Sequence, residues 1–285
     1  MAAIAIDKTL CIKCKKCVRV CPAHIFATGQ EGNIELNYID TCIVCGHCVS
    51  ICPTNAVLHS DFPAGKIHKI DTTLLPTPEQ LMTLIKSRRS NRAFSSKPVP
   101  QEYIEQILEA AHRAPTASNL QQVEFTVITD LDMVRMIADI TIEVFGGLAK
   151  LIAHPLIKPA IRLVSPETTR MLPQFERLVN SYKEGEDGIL RGATAFILIH
   201  TPADCRFGCQ DANLAYQNAS LMAESLGVAQ FYTGYVCAAA YNDGKKRLNK
   251  ALGIKGKIHA GIALSMPDFS YPNYMDKKDI QVARF

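Results

Sequence analysis

Tryptophan is missing altogether from this chain of 285 residues, and aromatic side chains make up only 7% of it, so base-stacking platforms for nucleic acid are not favoured. Charge of one sign is scarce too. The 31 Lys and Arg against 27 Asp and Glu leave a formal +4, too slight over this length to point to a polyanion. No stretch approaches the ~18 uninterrupted apolar residues of a membrane span. No G-x-G-x-x-G follows a strand pattern, which excludes a Rossmann nicotinamide domain. The opening MAAIAIDKTL has no basic n-region and its apolar run is broken by Asp7. A secretory signal is therefore not expected, and a reducing cytoplasm is. A hydrophobic content of 48% suffices for a sizeable core, shared between one small domain and one of ordinary size.

Cysteine is what the chain holds in quantity. Cys11, Cys14, Cys17 and Cys21 before Pro22, then Cys42, Cys45, Cys48 and Cys52 before Pro53, each follow C-x2-C-x2-C-x3-C-P, the bacterial iron–sulfur spacing. Three close-spaced thiolates can hold three irons of one cubane, while chain geometry sends the fourth elsewhere; in two-cluster ferredoxins it ligates the other cluster. The expected sets are Cys11, Cys14, Cys17 and Cys52 for one [4Fe-4S] centre, and Cys42, Cys45, Cys48 and Cys21 for the other. The repeat resembles a bacterial ferredoxin. Zinc fits poorly, because tetrahedral zinc commonly draws on separated C-x2-C pairs, and a disulfide framework belongs to short secreted chains. Lys13, Lys15, Lys16 and Arg19 fall inside the first run, whereas the second has no lysine or arginine. Such a basic collar suits an acidic electron carrier, or else simply keeps a small domain solvated.

The ferredoxin-like stretch is expected over residues 1–66, a linker over 67–78 and a larger domain over 79–285; from Ser60 to Pro78 short apolar pieces are punctuated by Pro63, Gly65, Pro76 and Pro78, which suits a linker or an extended docking strand. There, Leu81, Leu84 and Ile85 form one helical stripe, and Ile104, Ile107, Leu108 and Ala111 a second. Residues 123–130, 193–200 and 257–265 read as strands. A long helix carrying Leu214, Leu221, Met222 and Leu226 should stop at Gly227, a left-handed C′ position. Residues 131–184 read as largely helical, interrupted at Pro155, Pro159, Pro166 and Pro173. Mixed helices and strands indicate an α+β or α/β core.

Ser87-Arg88-Arg89-Ser90-Asn91-Arg92 gathers guanidinium groups and hydroxyls able to grip a phosphate, although arginines in a last helical turn also complement the helix dipole. Then come Pro115-Thr116-Ala117-Ser118-Asn119-Leu120-Gln121 before a strand, a helix with Asp211, Gln217 and Asn218, and Gln230-Phe231-Tyr232-Thr233-Gly234. From about residue 79 to 285 this order resembles the nitroreductase family of FMN enzymes. The resemblance implies an α/β sandwich, a central sheet flanked by helices, behind the small two-cluster domain, the whole being α+β. It also implies one FMN per subunit of a homodimer. Arg88, Ser90 and Arg92, with Arg89 beside them, would bind the FMN phosphate, and Pro115, Thr116, Ala117, Asn119 and Gln121 would reach the flavin from the second subunit. Thr233 and Gly234 would face the isoalloxazine, and Lys277 and Lys278 would return to the phosphate. Two details depart from the family pattern: Gln121-Gln122-Val123 stands where Gln-Pro-Trp is common, and lysines stand where a terminal arginine pair is usual.

Together the parts imply an oxidoreductase in which the clusters take electrons from a low-potential donor, a ferredoxin, flavodoxin or NAD(P)H, and the flavin reduces a nitroaromatic, quinone or similar small acceptor. The alternatives are a non-enzymatic relay or redox sensor, and a reductive dehalogenase or enone reductase on the same fold. Neither a nucleic acid nor a membrane is an expected partner. Cys205, Cys209 and Cys237 are expected to pack as small hydrophobes rather than form a redox or metal trio, His24, His47 and His59 to lie at the surface, the alternative being to tune hydrogen bonding around the clusters, and His259 to be a satisfied core residue.

Overall fold

In the computed structural model, which describes residues 3–164 and 166–285, the chain divides into two units. One runs to Leu75 and includes Ala117–Gln121; the other holds Pro76–Thr116 and Gln122–Phe285.

The N-terminal unit is a doubled element. Strand β1 (Ile4–Ile6), helix α1 (Lys16–Val20), strands β2 (Phe26–Thr28) and β3 (Ile34–Leu36), helix α2 (His47–Ser50) and strand β4 (Val57–His59) follow in order. Antiparallel pairing joins β1 to β4, with Ile4 opposite His59, and β2 to β3, with Phe26 opposite Leu36. The cysteine runs, 31 residues apart from Cys11 to Cys42 and from Cys21 to Cys52, share their backbone as well as their spacing. Left-handed φ occurs at Lys13, Lys15 and His24 (55°, 60°, 53°), and again at Val44, Gly46 and Asn55 (52°, 71°, 56°). For a β-branched residue such as Val44 this conformation is costly, and strain of this kind persists where the surroundings impose it. The apolar core is small: Ile4, Ile25, Phe26, Val49 and Val57, closed by the thiols of Cys17 and Cys48.

The C-terminal unit begins with α3 (Pro78–Ser87), whose start is fixed by a capping box between Thr77 and Gln80 and by proline in the first turn. It continues with α4 (Gln101–His112), β5 (Glu124–Ile128), α5 (Leu131–Ala153), α6 (Lys158–Val164), α7 (Pro166–Lys183), β6 (Ala195–Thr201), α8 (Gly208–Ser225), β7 (Ala229–Tyr232), α9 (Gly234–Asn242), α10 (Arg247–Ala251) and β8 (Lys257–Ser265). The sheet runs β5-β6-β8-β7, antiparallel throughout. All of β6 is buried, and its residues alternate between two cores. Phe196 and Leu198 join Ile137, Phe145 and Phe175 on one face; Ile197 and Ile199 join Ile104, Ile107, Ala215 and Ala219 on the other. A continuous apolar run is what a strand covered on both faces requires. The result is a sheet between two helical layers, in an α+β chain.

The strands expected at 123–130, 193–200 and 257–265 are present, and Gly227 ends α8 at φ +69°. Three readings of the sequence need correction. Pro173 lies inside α7 rather than interrupting it, and Pro159 and Pro166 sit in first turns, where the missing N–H has no helical partner to lose. The buried face of α8 is made by Ala212, Ala215, Ala219 and Ala223, while Leu214 is 46% exposed. Alanine wins there because the helix packs closely onto the sheet. The stripe on α3 is present but uncovered, with Leu81 and Ile85 at 44% and 45% exposure.

Candidate functional site

In the N-terminal unit the two loops and the helices they enter bring eight thiols to two cavities. One is lined by Cys11, Cys14, Cys17 and Cys52; the other by Cys21, Cys42, Cys45 and Cys48. The fourth cysteine of each run thus borders the cavity of the other run. Among the described residues no three His, Cys, Asp or Glu side chains converge on a single ion's position. The sulfurs surround a space instead of a point, and a donor set of thiols alone suits an iron–sulfur cubane. Backbone N–H groups are aimed at the sulfurs, from Ile25 to Cys21 at 3.4 Å, from Val44 to Cys42 at 3.4 Å and from Ala56 to Cys52 at 3.2 Å. Burial pushes the Cys48 thiol up to about 11 and raises that of Cys17, so these groups give up their proton readily only to a cation. At Cys52 burial is the largest influence and acts upward, yet the backbone and hydroxyl donors of Thr54, Ala56 and Val57 together hold the thiol below its usual value.

His24 and His47 are exposed, as expected. His59 is not. It is buried, and its Nε2 lies 3.6 Å from Cys42 Sγ. In sequence a histidine seven residues past the last cysteine does not stand out from His24 and His47, for which the surface is expected; its place at the end of β4 turns the ring inward.

In the C-terminal unit a cleft of about 580 Å³ opens between α5, α7 and the turn from β7 into α9. Its wall is aromatic: Phe145 packs on Phe175 at 4.9 Å and edge-on to Tyr235 at 5.5 Å, and Phe231 stacks on Phe94 at 5.5 Å. Arg92 lies over the Phe231 ring at 5.3 Å and lines the same cleft as Thr233 and Gly234. Thr233 donates its N–H to Gly261 O at 3.0 Å. Only glycine fits at position 261, where a Cβ would lie 2.5 Å from Thr233 Oγ1.

The arginine segment is pinned from several sides. Gln230, 1% exposed, donates to Arg89 O at 3.0 Å and accepts the Tyr216 hydroxyl at 3.2 Å. Asn91 donates to Phe269 O at 2.8 Å and accepts from Ala93 N at 3.0 Å. Burial raises the pKa of the Tyr216 hydroxyl, against the pull of the Arg88 and Arg92 charges. Arg89 Nε is buried with no hydrogen-bond partner among the described residues. A buried, unpaired guanidinium N–H is an invitation to an anion, and this segment fits a phosphate. Gln230 and Tyr216 were not singled out as positioning groups from sequence, although a glutamine inside the apolar run of β7 was a visible signal.

Other expected residues are not among those that line the cleft. Ala117–Gln121 belongs to the N-terminal unit, where Asn119 Nδ2 donates to Val44 O at 2.9 Å and to Ile43 O at 3.3 Å. Pro115 is exposed and Thr116 half-buried, and Gln121 has left-handed φ of 52°. Lys277 and Lys278 lie on an exposed tail without regular structure, away from any described contact with the arginines. Cys237 is half-buried, its thiol pushed up to about 11 by burial, whereas Cys209 is exposed. His259 Nε2 lies 2.9 Å from Thr201 Oγ1.

A sheet between helical layers with an arginine-flanked aromatic cleft, on one chain with two four-thiol cavities, defines a redox protein. Residues 85–265 match the nitroreductase family and residues 3–53 a 4Fe-4S dicluster domain. The chain belongs to the nitroreductase family and carries a dicluster domain in front. Among curated relatives, FMN reductase [NAD(P)H] of Bacillus subtilis is 28% identical over 159 residues, 55% of each chain. Iodotyrosine deiodinase 1 of Rattus norvegicus is 37% identical over 65 residues, 23% of each chain, so only a quarter of that relative's length is spanned. An FMN-bound nitroreductase of Desulfitobacterium hafniense superposes with a TM-score of 0.55 at 19% identity, covering 71% of this chain and 97% of that one, a likeness of fold. Among the described residues no helix is long and apolar enough to cross a membrane.

Proposed function

We propose that this oxidoreductase is FMN-dependent and that its two iron–sulfur clusters carry electrons from a low-potential donor toward the flavin, for the reduction of a small conjugated acceptor such as a nitroaromatic or quinone. When bound, the clusters supply one-electron steps and FMN gathers them into two-electron reduction. Cys11, Cys14, Cys17 and Cys52 would hold one cluster, and Cys42, Cys45, Cys48 and Cys21 the other. Arg88, Arg89, Ser90 and Arg92 would hold the flavin phosphate, with Lys277 and Lys278 as outer charges. Thr233 and Gly234 would meet the ring system at the start of α9, and the aromatic wall would keep water from the acceptor. Pro115, Thr116, Ala117, Asn119 and Gln121 would be offered by a second copy of the chain. The uncovered apolar face of α3 supports such a homodimer.

The observation that carries this reading is the meeting of Arg92, Thr233 and Gly234 at one aromatic cleft, with the unpaired Arg89 Nε three residues before Arg92. Fusion of the two units on one chain also raises the effective concentration of donor at acceptor. The test is an anaerobic screen of nitroaromatics and quinones with reduced ferredoxin and NAD(P)H compared as donors. Rapid discharge to a small acceptor, with ferredoxin-driven turnover lost in Cys14→Ser and Cys45→Ser proteins, is expected. Discharge only to another protein would identify a relay instead, and unchanged ferredoxin-driven rates in both cysteine variants would take the clusters off the path.

A further inference from the structure

The N-terminal unit holds a buried side chain aimed at a cysteine sulfur. The His59 side chain is 1% exposed, and its Nε2 stands 3.6 Å from Cys42 Sγ. The other nitrogen sets the tautomer. Nδ1 accepts the Asp61 N–H at 3.1 Å, a closer contact than the 3.5 Å to Asp61 Oδ2, and this assigns the ring proton to Nε2, facing the sulfur. Phe62, tilted against the imidazole at 4.9 Å and packed over Gly46, fixes the orientation.

The contact breaks the symmetry of the repeat. The offset that carries Cys11 onto Cys42 carries Thr28 onto His59, and Thr28 is exposed. Two backbone donors come as a matched pair at that offset, Ile25 to Cys21 and Ala56 to Cys52, and a third, Val44 to Cys42 at 3.4 Å, adds to the sulfur that His59 faces. Backbone N–H groups of Thr54, Ala56 and Val57 also act on Cys52 Sγ, and the side-chain counterweight there is the Thr54 hydroxyl, 3.8 Å away. It is longer, and a hydroxyl rotor can turn its proton away, whereas the imidazole N–H is locked.

We propose that His59 is a positioning residue whose Nε2–H bond to the Cys42 thiolate makes the cluster held by Cys42, Cys45, Cys48 and Cys21 easier to reduce than its neighbour. The proposal rests on the iron–sulfur reading above. Reduction adds one negative charge that spreads onto the cysteine sulfurs, and a donor to sulfur therefore stabilises the reduced level more than the oxidised one. One electron moves, no bond breaks, and the proton stays on Nε2. A difference of about tenfold in the electron equilibrium between the clusters is expected from this bond, ~59 mV for a one-electron couple. The basic residues ring the first cluster and the histidine favours the second, so the unit has a direction.

The test is a dye-mediated redox titration of the anaerobic holoprotein followed by EPR, with iron counted beforehand and the two signals told apart in Cys14→Ser and Cys45→Ser proteins. In His59→Leu the second-run cluster should become about tenfold harder to reduce relative to the first, whose own midpoint stays put. His59→Gln, which places an amide N–H near the Nε2 position, should restore most of the difference. Should His59→Leu fail to assemble, the wild type with 15N-histidine and exchangeable deuterium decides: a histidine N–H hyperfine coupling on the second-run signal alone is expected. Equal midpoints in wild type and His59→Leu, a Gln variant that behaves like Leu, or no such coupling overturns the role of His59 while leaving the clusters intact. A protein free of iron overturns the parent reading as well, and the iron count separates the two failures.

Discussion

In the C-terminal unit β6 buries all seven of its residues between two helical layers; in the N-terminal unit each strand has three residues, and the core is a few side chains set among thiols. The first arrangement is held by apolar burial on both faces of a sheet. The second cannot be. Its left-handed loop positions recur at matched places in both runs, and its buried thiols at Cys17 and Cys48 resist ionisation unless a cation takes the proton's place. One unit has its fold written in side-chain volume, the other in metal ligation, and the two should respond oppositely to the same insults.

The largest effect should come from removing iron. Anaerobic chelation should strip protection from backbone amides between residues 3 and 59 in hydrogen exchange and leave β6 and β8 protected. Equal loss in both units would show that the sheet depends on the clusters, and the contrast would be gone. The converse insult is a core truncation. Phe196→Ala removes a fully buried ring facing α5 and should destabilise the C-terminal unit by ~3–5 kcal/mol in denaturant unfolding, with the visible absorbance of the clusters unchanged at low denaturant.

A smaller effect sharpens the contrast inside the C-terminal unit, between its rigid sheet and its ligand segment. Arg89→Ala and Arg92→Ala should each weaken FMN retention roughly 10- to 100-fold, the loss of a hydrogen bond to a charged partner, with unfolding nearly unaltered. Lys277→Ala and Lys278→Ala, on the exposed tail, should change affinity only about two- to threefold, because exposed charges are screened. Equilibrium dialysis of FMN gives both numbers. If the lysines matter as much as the arginines, the tail closes over the site on binding.

The same contrast explains what could be read before any coordinates. In the N-terminal unit spacing alone announced the chemistry, since each run carries its own signature in the positions of Cys11 to Cys21 and Cys42 to Cys52. Spacing is blind to what faces a sulfur from elsewhere in the fold, and His59 was placed at the surface. In the C-terminal unit the apolar run of β6 was visible because a two-sided strand must be apolar throughout, and β5 and β8 show through their branched and aromatic residues, although Glu124 and Val127 of the edge strand β5 are exposed. The short β7 was hidden by its glutamine, the residue that anchors Arg89. Alanines were passed over on α8 because close helix–sheet packing favours small side chains, which leave no strong stripe. The Asn119 carboxamide donates to the carbonyls of Val44 and Ile43, some 75 residues away in sequence. Pairings of that kind, between residues far apart in sequence, leave no periodic trace.

The smallest effect concerns the two halves of the N-terminal unit. Lys13, Lys15 and Lys16 are all exposed, and Lys13 is held near the loop only by a 3.4 Å contact of its Nζ with Glu31 O. They surround the first run, while the second has no basic counterpart apart from histidine, so an acidic carrier should be drawn to one end of the unit. Changing the three lysines together to glutamine should slow reduction by an acidic ferredoxin on the order of tenfold at low salt. At ~0.1 M salt and above, where the Debye length is about 10 Å or less, the difference should shrink toward nothing. Dithionite, small and in excess, should reduce both proteins at similar rates, which separates docking from any change in the cluster itself. Stopped-flow traces across a salt series decide the matter: parallel lines for mutant and wild type would mean that the lysines only keep the loop solvated and that electrons enter at another face.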